Sequence, residues 1–305
     1  MSIAHAVRSS LGAKMSLKLA ALLLVLTTVA ALVITFRQTR QLEELTLEKA
    51  RLAAALGARQ YGEVLEAAVD DGTLTVSDAF DRNYVEIKGY DWGQHRKYHT
   101  RYDAVLDRAV LVFQDRMLDQ DDFVFAIGVD ENGYLPVHNS RFQRPITGDP
   151  EKDLAGNRSK RIFDDPVGLA AARNLEPTLV QVYRRDTGET MWDVSAPVLV
   201  KGKHWGAFRV AVSMARIAAR QRELFFTLLA GFALFAVVTS GAMYLLVGQA
   251  MKPVVALTAT ADQISLGEEL DTPIKSDAVD EIGQLTKTID RLRVSMKGAM
   301  SRLGQ

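Results

Sequence analysis

His95, His99 and Asp103 follow one another at intervals of four, which on a helix would bring two imidazoles and a carboxylate to one face. Such a face can hold a metal ion or offer an axial ligand to non-covalent haem, and His138 could add another nitrogen. Arg96, Lys97 and Arg101 stand in the same block. A solvated basic face with an acidic partner therefore explains it more simply, and no metal or other cofactor is expected. A second constellation is richer. Arg158, Arg161 and Arg173 lie in a polar stretch, and Tyr183, Asp193 and Arg209 in strand-like segments beyond it. The guanidinium fork suits carboxylates, and an Asp across a pocket can take an ammonium, so these six are the candidate ligand-binding residues; the bland alternative is that they stitch a loop to a sheet. Trp192 and Trp205 read as core or pocket wall. No nucleophile elbow, phosphate-cradling loop or HExxH motif occurs, and the paired acids Asp121-Asp122 and Asp164-Asp165 read as caps and loop charges. No enzyme is expected.

The elements that must position these residues are set by hydropathy. The 305 residues carry 37 basic and 37 acidic side chains and have a mean hydropathy of zero, values of an ordinary soluble protein. Yet residues 19–36 and 224–251 contain no charge at all. Each run is long enough to cross a bilayer as a helix. The first has no small-x-small site after it and is read as an anchor rather than a cleaved signal. Residues 1–18 then form a cytoplasmic leader, residues 37–223 a periplasmic domain, and residues 252–305 a cytoplasmic tail. Charge near the spans does not decide the orientation, because long external domains escape the positive-inside rule. Leader, central block and tail show no basic domain, which excludes a nucleic-acid binder. Without cysteine there are no disulfides and no covalently attached haem.

Within 37–223 a helix is expected over 38–70, stopping at Gly72, and another over 96–119. Residues 123–129 and 134–138, around Asp130-Glu131-Asn132-Gly133, read as a β-hairpin. A polar crossing over 141–177 holds a short helix near 167–173. Strands over 178–184, 190–200 and 204–213 complete an α+β domain with a five-stranded antiparallel sheet.

That order of strands resembles a single Cache domain, the extracellular relative of the PAS fold. The stretches V-D-E-N-G-Y-L-P-V-H-N-S (129–140), N-R-S-K-R-I-F-D-D-P-V-G (157–168), A-A-R-N (171–174), Y-R-R-D-T-G (183–188) and H-W-G-A-F-R (204–209) are similar to the periplasmic region of a group of bacterial methyl-accepting chemotaxis proteins. The resemblance implies a sensor and leaves its ligand open.

In the tail, Ile282, Leu285, Ile289, Leu292, Met296, Ala299 and Leu303 alternate spacings of three and four, a heptad seam. Leu257, Ala261 and Ile264 make a second stripe after Pro253. Helices this short need partners, so two per chain imply a parallel four-helix coiled coil in a homodimer. Pro253, Gly267, Leu270, Ile274 and the run Asp280-Glu281-Ile282-Gly283-Gln284-Leu285 resemble a HAMP domain, the coupling module that follows the last span of bacterial receptors. Gly267 and Leu270 stand one residue further apart than is commonest, and Asp290-Arg291-Leu292 replaces the usual N-x-M. Glu281 near the start of the second helix is expected to favour its dipole and to be able to cap free N–H groups. The resemblance puts both termini in the cytoplasm at the bacterial inner membrane. The expectation is a homodimeric receptor that senses a periplasmic small molecule and acts on a separate kinase or chemosensory partner, since the sequence ends at Gln305 without an output domain. The alternatives are a periplasmic redox sensor holding haem through His99 or His138, and a membrane scaffold without a pocket.

Overall fold

The computed structural model describes residues 11–89, 92, 95–119 and 122–303. Arg8 of the leader and Asp121 lie outside them. The chain divides into two compact units, Thr35–Phe225 and the two flanks Met1–Ile34 with Phe226–Gln305.

The elements in chain order begin with α1 (Leu11–Asp70), a single helix through the first apolar run and on to the end of the stretch expected to follow it. It stops before Gly72, which adopts φ +79°. Then come α2 (Val76–Ala79), β1 (Val85–Glu86), β2 (Tyr98–His99), α3 (Asp103–Ala109), α4 (Leu111–Met117), β3 (Phe123–Asp130) and β4 (Tyr134–Leu135). A 3-10 turn at Ser140–Phe142 precedes α5 (Pro150–Gly156), β5 (Arg161–Ile162), α6 (Pro166–Ala172), β6 (Leu179–Arg184), β7 (Thr190–Val200) and β8 (Lys203–Ser213). The last two are α7 (Met214–Ser265) and α8 (Glu281–Leu303).

Within Thr35–Phe225 the main sheet runs β3-β8-β7-β6, antiparallel throughout. The left-handed pair Lys201 (φ 52°) and Gly202 (φ 75°) turns β7 into β8, as a two-residue hairpin requires. Side-chain alternation then divides the sheet into two faces. Val194, Ala196, Val198, Phe208, Val210 and Val212 face the helical layer, where α1 presents Ala50, Ala54, Ala58, Tyr61 and Leu65 at helical spacing. Small residues at these contacts let α1 lie close on the sheet. Trp205 is fully buried in this core, and its indole N–H donates to the Ala79 carbonyl at 2.8 Å. On the other face Phe125, Ile127, Tyr183, Met191 and Ala211 meet α6 and the crossing segment in a smaller cluster.

Two expectations are corrected. The main sheet has four strands among the described residues, not five, because β4 does not return along β3. The Asp130 carboxylate accepts the N–H groups of Asn132 (3.0 Å) and Tyr134 (2.9 Å), which a hairpin ladder would need. Gly133 (φ 82°) then turns the chain away, and β4 pairs with β5 in a separate two-stranded ribbon. The outer side of β3 is met by a side chain instead, the Asn139 amide oxygen accepting the Ala126 N–H at 2.9 Å.

The helix expected over 96–119 is also broken. Tyr98 and His99 pair with β1, and the Tyr98 N–H donates to the Lys160 carbonyl. Helix begins only at Asp103, whose carboxylate accepts from the Thr100 hydroxyl at 2.9 Å and the Thr100 N–H at 3.3 Å. The buried face Tyr102, Leu106 and Val110 continues across the joint between α3 and α4.

Among the described residues, α1 and α7 are the two helices long and apolar enough to cross a membrane, with best windows of mean hydropathy 2.7 and 2.1. Leu22, Leu26, Leu32, Phe235, Val237 and Leu245 stand exposed on them. A bilayer is the surrounding that such surfaces suit.

Candidate functional site

A small cavity, with room for about one water molecule, opens on the sheet face away from α1. Its walls include Phe125 of β3, Tyr183 of β6, Arg209 of β8, Phe163 after β5, and Arg158, His138 and Arg185 from the connecting segments. Successive inward positions of one strand supply Tyr183 and, just past its end, Arg185.

Arg209 and Asp193 sit side by side on β8 and β7, both buried. The guanidinium Nε lies 3.1 and 3.2 Å from the two carboxylate oxygens, and Nη2 lies 3.1 Å from one of them. Burial pushes the Asp193 carboxyl up from its usual range, against the pull of Arg209. The arginine also lies 5.4 Å above the Tyr183 ring and 5.8 Å from that of Phe125, so this pair forms the floor of the cavity.

Arg158 is tied down by the Leu154 carbonyl (2.8 Å) and Asp186 (3.0 Å). Arg161 reaches Asp186 only at 3.9 Å, and its buried Nη1 has no hydrogen-bond partner among the described residues. Both guanidiniums lie 4.8 Å from the Phe163 ring. Arg185 lies 4.5 Å above Phe142 and is 5% exposed, yet neither its Nε nor its Nη2 has a hydrogen-bond partner among the described residues. Burial, and next to it the charge of Arg158, bring Arg161 and Arg185 each down to about 10.

His138 is buried against Phe142, with ring centroids 4.4 Å apart. Burial first, then the charges of Arg158, Arg185, Arg161 and Arg141, hold its imidazole well below the usual range and hence neutral at pH 7. Its Nδ1 accepts the Asn139 N–H at 2.7 Å, which assigns the ring proton to Nε2.

Of the six candidate ligand residues, Arg158, Tyr183 and Arg209 line the cavity, Asp193 is bound to Arg209, and Arg161 does not line it but lies 4.8 Å from the ring of Phe163, which does. Arg173 does not join them. It is exposed at the end of α6 and donates to the Glu131 carbonyl at 3.2 Å. His95 and His99 do not share a helical face with Asp103, because His99 is in β2 and His95 in a bend before it. Asp103 is instead buried, accepting from the Tyr134 hydroxyl (2.8 Å) and pairing with Lys160 (3.0 Å). Among the described residues no three His, Asp or Glu side chains converge as metal ligands. Arg185 and Asp186 were missed by the sequence reading. The signal was present, since Arg185 follows Tyr183 by two and shares its side of the strand.

The tail has its own geometry. α7 ends in a Schellman arrangement: Gly267 adopts φ +84°, and the Glu268 N–H donates to the Gln263 carbonyl at 2.9 Å. Asp280, not Glu281, caps α8, accepting the N–H groups of Ile282 (3.0 Å) and Gly283 (3.2 Å). Glu281 occupies the first turn, where it favours the helix dipole. Any side chain at Gly283 would collide with the Ala278 carbonyl. The connector is held to α8 by Asp290, which accepts the Ile274 N–H at 3.0 Å and pairs with Arg293 at 2.8 Å. Arg293 in turn donates to the Leu270 carbonyl. The Asp290-Arg291-Leu292 departure thus supplies an acid that fastens the connector. Leu257 and Ile264 are buried, while Leu285 and Leu292 of the seam are exposed.

Comparison with known families matches residues 245–298 to the HAMP domain. The match begins inside the second charge-free run and takes in Pro253, the connector and most of α8. A solved structure, the sensor domain of Escherichia coli DcuS, aligns over 38% of this chain and 75% of its own length, with 15% identity and a TM-score of 0.28. No curated protein matches the chain. The chain therefore combines two candidate membrane helices, an α+β domain between them built on an antiparallel sheet, and a HAMP domain.

Proposed function

We propose that the protein is a homodimeric bacterial inner-membrane receptor whose Thr35–Phe225 domain faces the periplasm and binds a small molecule in the cavity over β8. Occupancy biases the arrangement of α7, and the HAMP domain relays the bias to a cytoplasmic kinase or chemosensory protein. The supporting observation is covalent continuity. Arg209 at the cavity floor lies on the strand that ends at Ser213, and α7 starts at Met214, passing through the second apolar run into the HAMP segment. A ligand that prefers one position of β8 has a direct lever on the helix; a ligand binding both positions equally moves nothing.

Topology tests this reading, and the chain's lack of cysteine makes the experiment clean. Single-cysteine variants Lys203→Cys and Ser301→Cys are labelled in intact cells with a membrane-impermeant maleimide. The first is expected to react from the periplasm and the second only after lysis. Reaction of both without lysis, or of Ser301→Cys alone, would remove the receptor reading.

A further inference from the structure

The first two turns of α7 are braced to the Thr35–Phe225 unit by side chains of the helix itself. Ser213 caps the helix: its hydroxyl accepts the Arg216 N–H at 3.3 Å and donates to Glu189 at 3.2 Å. Ile217 is buried in the main core. Arg216 donates to the Phe123 carbonyl at 3.3 Å and Arg220 pairs with Asp122 at 2.9 Å, so both reach the start of β3. Gln221 donates to Glu43 of α1 at 2.9 Å. Positions 213, 216–217 and 220–221 recur at three and four residues and form one face of the helix.

Two features set these contacts apart from a structural staple. The first is exposure. The Arg220 side chain is 44% exposed and that of Asp122 11%, against 4% and 0% for Arg209 and Asp193. A pair this open exchanges with water at modest cost, so it can hold a helix without locking it. The second is position. Phe125 and Ile127 of the cavity wall lie on β3, the strand whose start receives Arg216 and Arg220. A bulge lies between the two places: Phe123 pairs with Val212 and Phe125 with Ala211, leaving Val124 as the extra residue. A bulge bends its strand and interrupts the ladder, so the residues before it are less firmly tied to the rest of the sheet.

Resting on the receptor reading above, we infer that Asp122 and Glu43 are positioning residues: a polar latch, closed by Arg220 and Gln221, that sets the resting position of α7 against β3 and α1. Opening the latch frees the two turns from which the second apolar run continues. This route differs from a direct pull along β8, because it passes through β3 and through the helix that carries the first apolar run.

The latch is tested in the full chain without added ligand. Leu285→Cys supplies the only thiol, and its rate of disulfide formation in native membranes reports the HAMP seam. Hydrogen exchange over residues 214–222 of the purified receptor in lipid nanodiscs reports the start of α7 and needs no second copy. Arg220→Gln is expected to change the seam rate and to raise the exchange rate, each by about threefold or more, the scale of a partly exposed ion pair. Arg220→Lys keeps the charge and should stay nearer the wild type. Asp122→Asn should match Arg220→Gln, and the two together should do no more than either alone, because one contact is lost once. Gln221→Ala should shift both readings in the same direction. Arg101→Gln removes an exposed pair with Asp78 elsewhere in the unit and should change neither. If Asp122→Asn lowers the unfolding midpoint, the more exposed Arg220→Gln carries the comparison.

The proposal is overturned if Arg220→Gln and Asp122→Asn keep the wild-type seam rate, if their effects add, if Gln221→Ala shifts the seam the opposite way, or if Arg101→Gln moves the seam as far. Faster exchange over 214–222 with an unchanged seam rate also overturns it, since the contact would then be structural alone. The receptor reading fails separately, through the topology of Lys203→Cys and Ser301→Cys. Absence of any Leu285→Cys disulfide would remove the homodimer, and exchange over 214–222 would still decide the latch.

Discussion

Asp193→Asn is expected to destabilise the Thr35–Phe225 domain by about 3–5 kcal/mol, the usual cost of leaving one member of a buried ion pair without its partner. Arg209 is 3% exposed and lies among Phe125, Tyr183 and the strands of the main sheet, so bulk water has little access to replace the lost carboxylate. Asparagine keeps the shape but offers one acceptor where two charged oxygens stood. The double variant Asp193→Leu with Arg209→Met should be less destabilised than Asp193→Asn, because it removes both charges and returns apolar surface to a sheet already rich in it. Denaturant unfolding of the full chain, followed by tryptophan fluorescence, measures both. Equal stability of Asp193→Asn and the wild type would mean that the pair is not closed off from water as described.

The second large effect concerns the HAMP seam. Leu285 is 42% exposed and Leu292 62% exposed in the single chain, although both stand on the heptad stripe of α8. A partner chain that covers their exposed parts would gain roughly 0.6–2 kcal/mol for each leucine, and four leucines per dimer make this roughly 3–6 kcal/mol. Leu285→Glu with Leu292→Glu should therefore abolish association through the tail. Glu281, Asp290 and the capping Asp280 are left in place, so each α8 keeps its local start and its connector contacts. Chemical cross-linking in native membranes should fall to the background of separate chains. A double variant that still cross-links as efficiently as the wild type would contradict the proposed homodimeric packing of the HAMP segment.

Periodic segments were legible and side-chain substitutions for backbone pairing were not. Strands β6, β7 and β8, the helix of α6 and the long extension of α1 follow from alternation, turn residues and helical spacing, all local signals. The hairpin after β3 failed because Asp130 uses its own carboxylate to bind the turn, and Asn139 supplies from a distance the acceptor that a strand would have given. Neither substitution has a periodic signature. The helix over 96–119 failed for a related reason: the apolar face from Tyr102 to Val110 is real, but tertiary pairing with β1 and Lys160 takes the residues before Thr100 into a strand. At the cavity, Tyr183, Asp193 and Arg209 were picked out by their side-chain chemistry in strand-like segments. Arg185 stands one step past the end of β6 and shares the side of Tyr183, an alternation the sequence reading did not carry beyond the strand. Lys97 is a similar case: it reads as a solvated charge, but it is buried, donates to the Ser159 carbonyl at 2.6 Å, and is lowered to about 8 by burial and then by Arg161 and Lys160.

The central claim is that occupancy of the cavity changes the arrangement of the helix that follows β8. Leu285→Cys places a sole thiol on the HAMP seam, and its rate of disulfide formation between two copies in native membranes reports the packing of that seam. A small molecule that raises the unfolding midpoint of the purified receptor is predicted to change the rate by about fivefold or more, the lower range of allosteric coupling, and to have no such effect when the cavity-lining Arg185 is changed by Arg185→Gln. An identical rate with and without saturating ligand would contradict the account.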